Sequence, residues 1–471
     1  MDGATLGAAS WLRPLLLALG ALAVAASGVG ITERLLFAQP SDLKYGLTVL
    51  GPLALVAVAS ATEPLRVVVP LLVLAAPFAG YTATLVGVGV SALVPLLVAG
   101  AAVAVVTGTV GSGLSQIGWG TLWAALLLVV PLVGGSSHAH YALLILAMIV
   151  TAWLVSRAGA LPGGLPLVLT AIVGTAVLQA ILALWEFRTG RQLNLYGTAG
   201  RAVFGSGYFF GFGGKPRPTG SFYDPISLGN VLALACPLAL ALGVASRSAA
   251  ARLLAAAAGV VTTLALALSF SRMSWIGAAV GLLLTLALLP GSRRTAALAG
   301  VVGTAVVVAA LALSVSQGAL SDRFDSIFHP TSRTVKTAAG DRQRVQLWRA
   351  AIATAEVNPI LGTGLGNLLP QLERRVGGTG PSSHAQSTYL QLLAEAGVAG
   401  ALALLFVLAG IGRDLASSLR RDRILGAGLA GSVACLLVTW VTDYTVRYLA
   451  VAACVAALLG AVASQGARKV A

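Results

Sequence analysis

Long uninterrupted apolar runs constrain the fold of this chain more than any other feature of its sequence. Hydrophobic residues make up 58% of the 471 residues and charged residues only 10%, whereas soluble domains are about 25% charged. Roughly 20 apolar residues cross a bilayer as a helix, and the candidate spans lie at 14–29, 44–61, 64–80, 82–107, 120–136, 141–158, 164–187, 226–245, 251–270, 274–290, 296–315, 387–411, 424–441 and 447–463. The sequence therefore predicts an all-α polytopic membrane protein with about 12–14 transmembrane helices.

Short basic loops set the expected orientation of these spans. Basic residues recur at 247–252, 293–294, 413–423 and 468–469, at alternate span ends, which is typical of the cytoplasmic side. Both chain termini are then cytoplasmic. The predicted organisation is N-terminal transmembrane helices at 1–187, an outward loop with an arginine motif at 188–225, central transmembrane helices at 226–315, a large helical periplasmic loop at 316–386 and C-terminal transmembrane helices at 387–471.

Charge and ligand content indicate an anion-binding protein without a metal. The net charge of +15 is carried mostly by arginine, which contacts phosphate in a bidentate manner. Both outward segments are net basic and so attract anions. No Asp-x-Asp pair occurs, and His138 and His140 have no third ligand near them in sequence, so neither a metal nor a cofactor is expected. The three cysteines fall in apolar runs, which argues against a disulfide framework.

One arginine lies between two apolar runs that leave almost no loop for it. In the stretch ALSFSRMSWIG, Arg272 follows one predicted span and begins the next. A charge at the bilayer centre costs about 2.5–3.5 kcal/mol or more, and it costs less near the interface, where a long side chain reaches the headgroups. The position of Arg272 therefore suggests that it interacts with an anion at the outward surface.

Further charged side chains fall beside spans on the same predicted side of the membrane. They occur in the turn KPRPTG, in the stretch DRQRVQLWR, before the span at 387 and in the last outward turn, TDYTVRY; they are Arg217, Arg342, Arg344, Arg349, His384, Asp443 and Arg447. Each one alone also fits a snorkelling or solvated charge. Their convergence on one face of one membrane favours a common site.

An amphipathic helix is predicted inside the larger outward segment, between Asp341 and Pro359. Val345, Trp348 and Ile352 form an apolar stripe at helical spacing. Pro359 ends the helix, because the residue before a proline avoids the helical region. We expect this helix to lie along the membrane surface with its arginines available. The glycines of GTGLG, which follow, are a weak nucleotide-binding signal because they follow a helix and not a strand.

Four segments of the C-terminal half resemble motifs of the O-antigen ligase and polymerase superfamily. In family order they are PRPTGSFYDPISLGNVLAL, ALSFSRMSWIG, DRQRVQLWRAAIATAEVNPILGTGLGN and SHAQSTYLQLLAEAGVAG. The resemblance covers about residues 200–450. It departs from the family where many members have a His-Asn pair before a tyrosine. This chain has Gln386 and Ser387 there, and its histidine, His384, lies two residues earlier.

The resemblance implies a GT-C-like fold and a glycosyltransferase that works at the periplasmic face of the bacterial cytoplasmic (inner) membrane. The implied donor is a glycan linked to polyprenyl (undecaprenyl) diphosphate. The glycan is transferred, with inversion, to a hydroxyl of a glycolipid such as lipid A–core or of another glycan. The implied partners are this donor, the acceptor and membrane lipid, with no nucleic acid.

Arginines fixed at a low-dielectric rim stabilise a diphosphate leaving group without a metal. The expected site residues are Arg217, Arg272, His384 and Asp443 for catalysis, Arg217, Arg272, Arg342, Arg344 and Arg349 for the diphosphate, and Gln386, Tyr389 and Trp348 for the acceptor or sugar. Histidine titrates near neutral pH, so His384 is the candidate general base. Asp443 either orients His384 or holds the acceptor.

Several activities share these motifs. The leading interpretation is an O-antigen ligase in lipopolysaccharide or related surface-glycan assembly, and a polysaccharide polymerase or a protein O-glycosyltransferase of the same superfamily remains open. A transporter or flippase of a lipid-linked glycan is the alternative from a different class. Its charges would lie near mid-membrane and its two halves would repeat. The charges here cluster at one interface, which favours an enzyme.

Overall fold

A computed structural model describes the chain over residues 64–79, 82–85, 88–91, 97, 138–192, 217–316, 319–328, 335–376 and 384–467. The predicted spans at 14–29, 44–61 and 120–136 lie outside these residues, as does most of the span predicted at 82–107. Everything stated below about the structure refers to the described residues.

Helices make up nearly all of the described chain. They are α1 (Leu65–Ala75), α2 (His138–Ala160), α3 (Gly164–Thr189), α4 (Pro225–Ala245), α5 (Ala249–Leu268), α6 (Arg272–Leu288), α7 (Gly291–Ser316), α8 (Ala319–Phe328), α9 (Val335–Val357), α10 (Leu368–Val376), α11 (Thr388–Arg421), α12 (Arg423–Thr439) and α13 (Leu449–Ala467), with 3₁₀ turns at Ala76–Phe78 and Thr445–Arg447. Five of them, α3, α4, α5, α7 and α11, are long and apolar enough to cross a membrane, and shorter apolar helices accompany them. The prediction of a helical, multi-pass membrane protein is confirmed.

Residues 82–91 depart from the span predicted at 82–107. Strands β1 (Thr82–Leu85) and β2 (Val88–Ser91) pair antiparallel, with Leu85 opposite Val88. The two strands are rich in β-branched residues, Thr82 and Thr84 in β1 and Val88 and Val90 in β2, and such residues favour strands. The prediction of a helix that begins at residue 82 is therefore wrong.

The helices pack as a bundle in which α4 is central. It contacts α3, α5, α6 and α12, while α13 packs against α2 and α11. Small residues let the backbones approach closely: a Cβ on Gly431 of α12 would overlap the Gly281 carbonyl of α6. Large apolar side chains of α5 and α11 point away from the protein, such as Leu253 at 72% and Phe406 at 58% exposure. These exposed faces are those expected to contact lipid.

Successive turns alternate between the two ends of the bundle. One end, which we call the polar end, consists of residues 217–224, 269–271, 384–388 and 440–448. The basic turns lie at the opposite end, where Arg423 Nε donates a hydrogen bond to the Leu288 carbonyl at 2.9 Å. The polar and basic turns are thus separated by the length of the helices, as the alternation of basic loops predicts.

Helix α11 is interrupted at Gly397, whose φ of 62° and ψ of −155° are not helical. The turn after α9 bonds the backbone groups that the interruption releases. Thr363 N donates to the Ala394 carbonyl at 3.0 Å, and Val398 N donates to the Pro359 carbonyl at 2.8 Å. In lipid every backbone polar group needs such a partner. The stretch GTGLG therefore contacts the backbone of α11 in this structure, which leaves no support for a nucleotide-binding role.

Alanine at Gly397 is expected to destabilise the protein. Residues other than glycine adopt these backbone angles at a cost of about 1–3 kcal/mol, and a Cβ would also overlap the Ile360 carbonyl. Detergent-solubilised Gly397→Ala should lose its monodisperse size-exclusion peak at a lower temperature than the wild type. Gly410→Ala on the same helix is the control, because a Cβ there meets no atom within 4 Å. Equal midpoints for Gly397→Ala and Gly410→Ala would contradict this account.

Helix α9 confirms the helix predicted before Pro359, but a different face of it packs. Val345 and Ile352 of the predicted stripe are each 43% exposed, whereas Leu347 and Ala351 are fully buried. The buried face contacts α10 and α11. Alanine has little apolar surface of its own, so the pattern of large side chains pointed to the wrong face.

Candidate functional site

Two buried side chains of α3 hold the loop between α3 and α4. Glu186 Oε2 accepts hydrogen bonds from the backbone N–H groups of Thr219 and Gly220, each at 2.7 Å. Two helical turns earlier, Gln179 Oε1 accepts the N–H of Ser221 at 2.9 Å. Both acceptors are fully buried. Residues 219–221 of this loop are therefore fixed against α3 through their backbone.

This loop places Arg217 across the short turn between α5 and α6. Arg217 donates from Nε and Nη2 to the Ser269 carbonyl at 3.1 and 2.9 Å, and it is only 9% exposed. From the other side, Arg323 Nε of α8 donates to the Phe270 carbonyl at 3.1 Å. Two arginines from other segments, Arg217 and Arg323, therefore bond the backbone of the turn SFSR, whose last residue, Arg272, begins α6.

Asp443, in the turn between α12 and α13, joins the polar end to the helices below it. Its side chain is 5% exposed, and its Oδ2 accepts a long hydrogen bond of 3.5 Å from Asn230 Nδ2 of α4. Asn230 also donates to the Thr445 hydroxyl at 3.1 Å and accepts from the Ser274 hydroxyl at 2.7 Å. A continuous polar chain therefore connects α4, α6 and the last turn.

The carboxyl group of Asp443 changes its charge near neutral pH. Burial raises its pKa to about 7, against the lowering effect of Arg344 and Arg217 and with a further increase from Asp224. These neighbours belong to α9 and to the loop before α4. Charges from separate segments of the chain thus act on this one carboxyl group.

His384 lies just before α11 in the same group of side chains. Its Nδ1 accepts the backbone N–H of Gln386 at 3.0 Å, and its ring centroid is 5.9 Å from that of Tyr444. Burial, together with the positive charges of Arg447 and Arg344, holds the pKa of His384 well below its usual value. The imidazole is therefore neutral at pH 7.

Gln386 is held in a conformation that few non-glycine residues adopt. Its φ is 50°, and the other described non-glycine residue with positive φ, Phe270, also belongs to the polar end. Arg344 Nε donates to Gln386 Oε1 at 3.1 Å, and Trp348 Nε1 donates weakly to its carbonyl at 3.5 Å. Helix α9 thus docks onto the polar end through Arg344 and Trp348. Such strained residues cluster at functional sites.

Arg447 is a further cation of the polar end. It donates to the hydroxyl of Tyr448, and its guanidinium carbon lies 4.7 Å from the centroid of that ring. Its positive charge also reaches the carboxyl group of Asp224 and the imidazole of His384. The motif TDYTVRY includes this arginine, but only the structure shows that it is partly buried and that its charge acts on the histidine.

Most of the site residues predicted from sequence meet at the polar end. They are Arg217, Arg344, Trp348, His384, Gln386 and Asp443. Arg272 begins α6 directly after the turn at 269–271. Arg342 and Arg349 are exposed on other faces of α9. Tyr389 donates its hydroxyl to the Leu437 carbonyl at 2.9 Å and so ties α11 to α12. The described residues contain no group of three or more His, Cys, Asp or Glu side chains that could hold a metal ion.

Sequence reasoning did not identify Glu186 or Asn230 as parts of the site. A signal for both was present, because ionisable and amide side chains inside apolar runs face the interior of a bundle and find partners there. The partner of each lies 30 or more positions away in sequence, so the signal does not reveal which group each one bonds.

Residues 257–405 match the model of a protein family described as O-antigen ligase. The matched region includes the turn before Arg272, all of α9 and the first half of α11. A comparison with curated proteins gave no match. Over these residues the family match confirms the resemblance to the O-antigen ligase and polymerase superfamily. The first of the four motifs, PRPTGSFYDPISLGNVLAL, lies before the matched region.

Proposed function

We propose, starting from the O-antigen ligase match, that this protein transfers a glycan from a polyprenyl diphosphate to an acceptor hydroxyl. The polar end would face the periplasm of a bacterial cell, with the protein in the inner membrane. The reaction proposed is that of a ligase, with a glycolipid such as lipid A–core as the acceptor. A polymerase reaction, in which the acceptor is a second lipid-linked glycan, uses the same chemistry.

The observation that carries this proposal is the gathering of three arginines from separate segments around a histidine and a carboxyl group. Arg217 and Arg344 influence Asp443, while Arg344 and Arg447 influence His384. Guanidinium groups already fixed in a low-dielectric site stabilise negative charge as it develops and need no reorganisation during the reaction. Such a site suits a substrate whose leaving group is a diphosphate.

In the proposed reaction the acceptor oxygen attacks the anomeric carbon of the glycan. The bond between that carbon and the diphosphate oxygen breaks, and the diphosphate keeps the electron pair. Displacement from the opposite side inverts the anomeric centre. The arginines stabilise the leaving diphosphate, and a nearby base takes the acceptor proton.

A transport function is the alternative, and the placement of charge favours an enzyme over it. A transporter holds its substrate near mid-membrane between paired halves. Arg217, Arg344 and Arg447 instead gather at one end of the helices, and the basic turns of the other end are a helix length away.

The test is reconstitution of the purified protein in liposomes with a polyprenyl-diphosphate-linked glycan. One sample receives lipid A–core as the acceptor and a second receives only more donor. Glycosylated lipid A–core with release of polyprenyl diphosphate is expected in the first sample. Elongated donor in the second sample would identify a polymerase instead.

Two further results of this assay bear on the proposal. Added EDTA should leave the rate unchanged, because the described part of the site relies on guanidinium groups for charge stabilisation. Movement of the donor across the liposome membrane without any transfer product would contradict the enzymatic function and support the transporter.

A further inference from the structure

The hydrogen bond on His384 determines where the proton of this imidazole lies. The backbone N–H of Gln386 donates to Nδ1, so Nδ1 carries a lone pair and no proton. A neutral imidazole has one N–H and one acceptor nitrogen, so the proton is on Nε2. The remaining ring nitrogen is thus a hydrogen-bond donor. It cannot take a proton from an acceptor hydroxyl while this arrangement holds.

The surroundings of His384 suit the role of a donor to an anion. Arg344 and Arg447 both lie near enough to influence its charge. An anion held by these two guanidinium groups would lie next to the imidazole. The oxygen atoms of this anion would accept a hydrogen bond from the Nε2–H group of His384.

Asp443 has the properties that His384 lacks for proton transfer. Within the described residues, the only side chain that donates to its carboxylate is that of Asn230, at 3.5 Å, so the carboxylate can accept another hydrogen bond. Its pKa of about 7 matches that of an efficient base at neutral pH. The charged groups that face it are Arg344 of α9 and Arg217 and Asp224 of the loop before α4.

We propose that Asp443 is the base that accepts the proton of the attacking hydroxyl, and that His384 donates from Nε2 to an oxygen of the donor diphosphate. This assignment rests on the proposed glycan transfer. The acceptor O–H bond breaks and its proton moves to a carboxylate oxygen of Asp443. The new bond joins the acceptor oxygen to the anomeric carbon, and the electron pair of the broken glycosidic bond leaves with the diphosphate. Asp443 later releases the proton to water.

The pH dependence of transfer separates this assignment from one in which His384 is the base. Both phosphates of the intact donor are esterified, so neither titrates near neutral pH. The wild-type rate is expected to rise about tenfold per pH unit up to a midpoint near 7 and then to level, since Asp443 is protonated below that value. Asp443→Asn should lose this rise and about 10²–10⁴-fold of the rate.

Asp443→Glu and His384→Gln are the matched variants. Asp443→Glu should keep a rise with a shifted midpoint. His384→Gln should keep the wild-type midpoint at a reduced rate, because the glutamine amide still donates a hydrogen bond from the corresponding position. Loss of the rise in His384→Gln and its survival in Asp443→Asn would overturn the assignment.

A binding measurement excludes a purely structural effect of Asp443→Asn. The variant is expected to bind polyprenyl diphosphate, the released product, as tightly as the wild type and to keep its size-exclusion profile. Weaker binding would show that Asp443 holds the site together and would contradict its role as the base. An inactive wild type with every acceptor would instead remove the proposed function itself.

The protonation of His384 can also be read without turnover. With ¹⁵N-labelled histidine, the signals absent from His384→Gln identify this residue among the four histidines of the chain. A pyridine-type Nδ1 and a protonated Nε2 are expected at pH 7. A protonated Nδ1 with an unprotonated Nε2 would contradict the proposal.

Discussion

Replacing Arg217 with lysine is expected to reduce glycan transfer roughly 10²–10³-fold, the usual effect of losing one fixed donor to developing charge. The arginine bonds the Ser269 carbonyl through both Nε and Nη2, which fixes the plane of its guanidinium group. Lysine keeps the charge but has a single flexible ammonium group. Lysine can bond the Ser269 carbonyl or reach the diphosphate, but one ammonium group cannot reproduce the paired hydrogen bonds from Nε and Nη2. Initial rates in liposomes measure the effect.

The control for this variant is Arg374→Lys on α10. Arg374 is exposed and lies outside the polar end, so the same exchange should leave the rate unchanged. The Arg217→Lys protein should also bind polyprenyl diphosphate more weakly than the control. Equal rates and equal binding for the two variants would remove Arg217 from the site.

Replacing Glu186 with alanine is expected to lower both stability and activity. The change leaves the N–H groups of Thr219 and Gly220 without their buried acceptor, at a cost of about 1–3 kcal/mol each. Because the same loop carries Arg217, its displacement should also slow transfer. The midpoint of thermal unfolding in detergent and the initial transfer rate measure the two effects.

Glutamine at the same position should separate charge from geometry. Both N–H groups bond to one oxygen, Glu186 Oε2, and an amide oxygen can accept both, although less strongly. Glu186→Gln is therefore expected to lie between the wild type and Glu186→Ala in both measurements. Glu373→Ala, at an exposed position of α10, is the control. A Glu186→Ala protein as stable and active as this control would contradict the role of the buried carboxylate.

Hydropathy predicts the helices of the described residues well, because each span must satisfy its own backbone and present apolar side chains to lipid. The ends of α3, α4 and α12 lie within two residues of the spans predicted at 164–187, 226–245 and 424–441. The span predicted from residue 82 is wrong because an apolar run does not by itself distinguish a helix from a short hairpin. The break at Gly397 was also not predicted, since it depends on a turn more than 30 residues earlier in the chain.

The residue types of the candidate site were predictable from the sequence, whereas their contacts were less so. Motifs beside spans identified Arg217, His384 and Asp443 because charges beside apolar runs are costly and therefore informative. Arg344 contacts the candidate site, and the other two arginines of α9 are exposed on other faces, because of which face of the helix packs. Alanines make up most of that packed face, so the pattern of large side chains does not reveal it. The proposed role of His384 depends on one backbone N–H, which no side-chain pattern in the sequence reveals.

The hydrogen bonds between the turn after α9 and the interrupted helix α11 have a consequence for engineering this protein. Residues 359–364 complete the hydrogen bonding of α11, so the segment that carries them cannot be exchanged independently of that helix. A chimera that exchanges only residues 319–386 with those of a relative would pair one parent's turn with the other parent's kink. A chimera whose exchanged segment contains both the turn after α9 and Gly397 should assemble more readily.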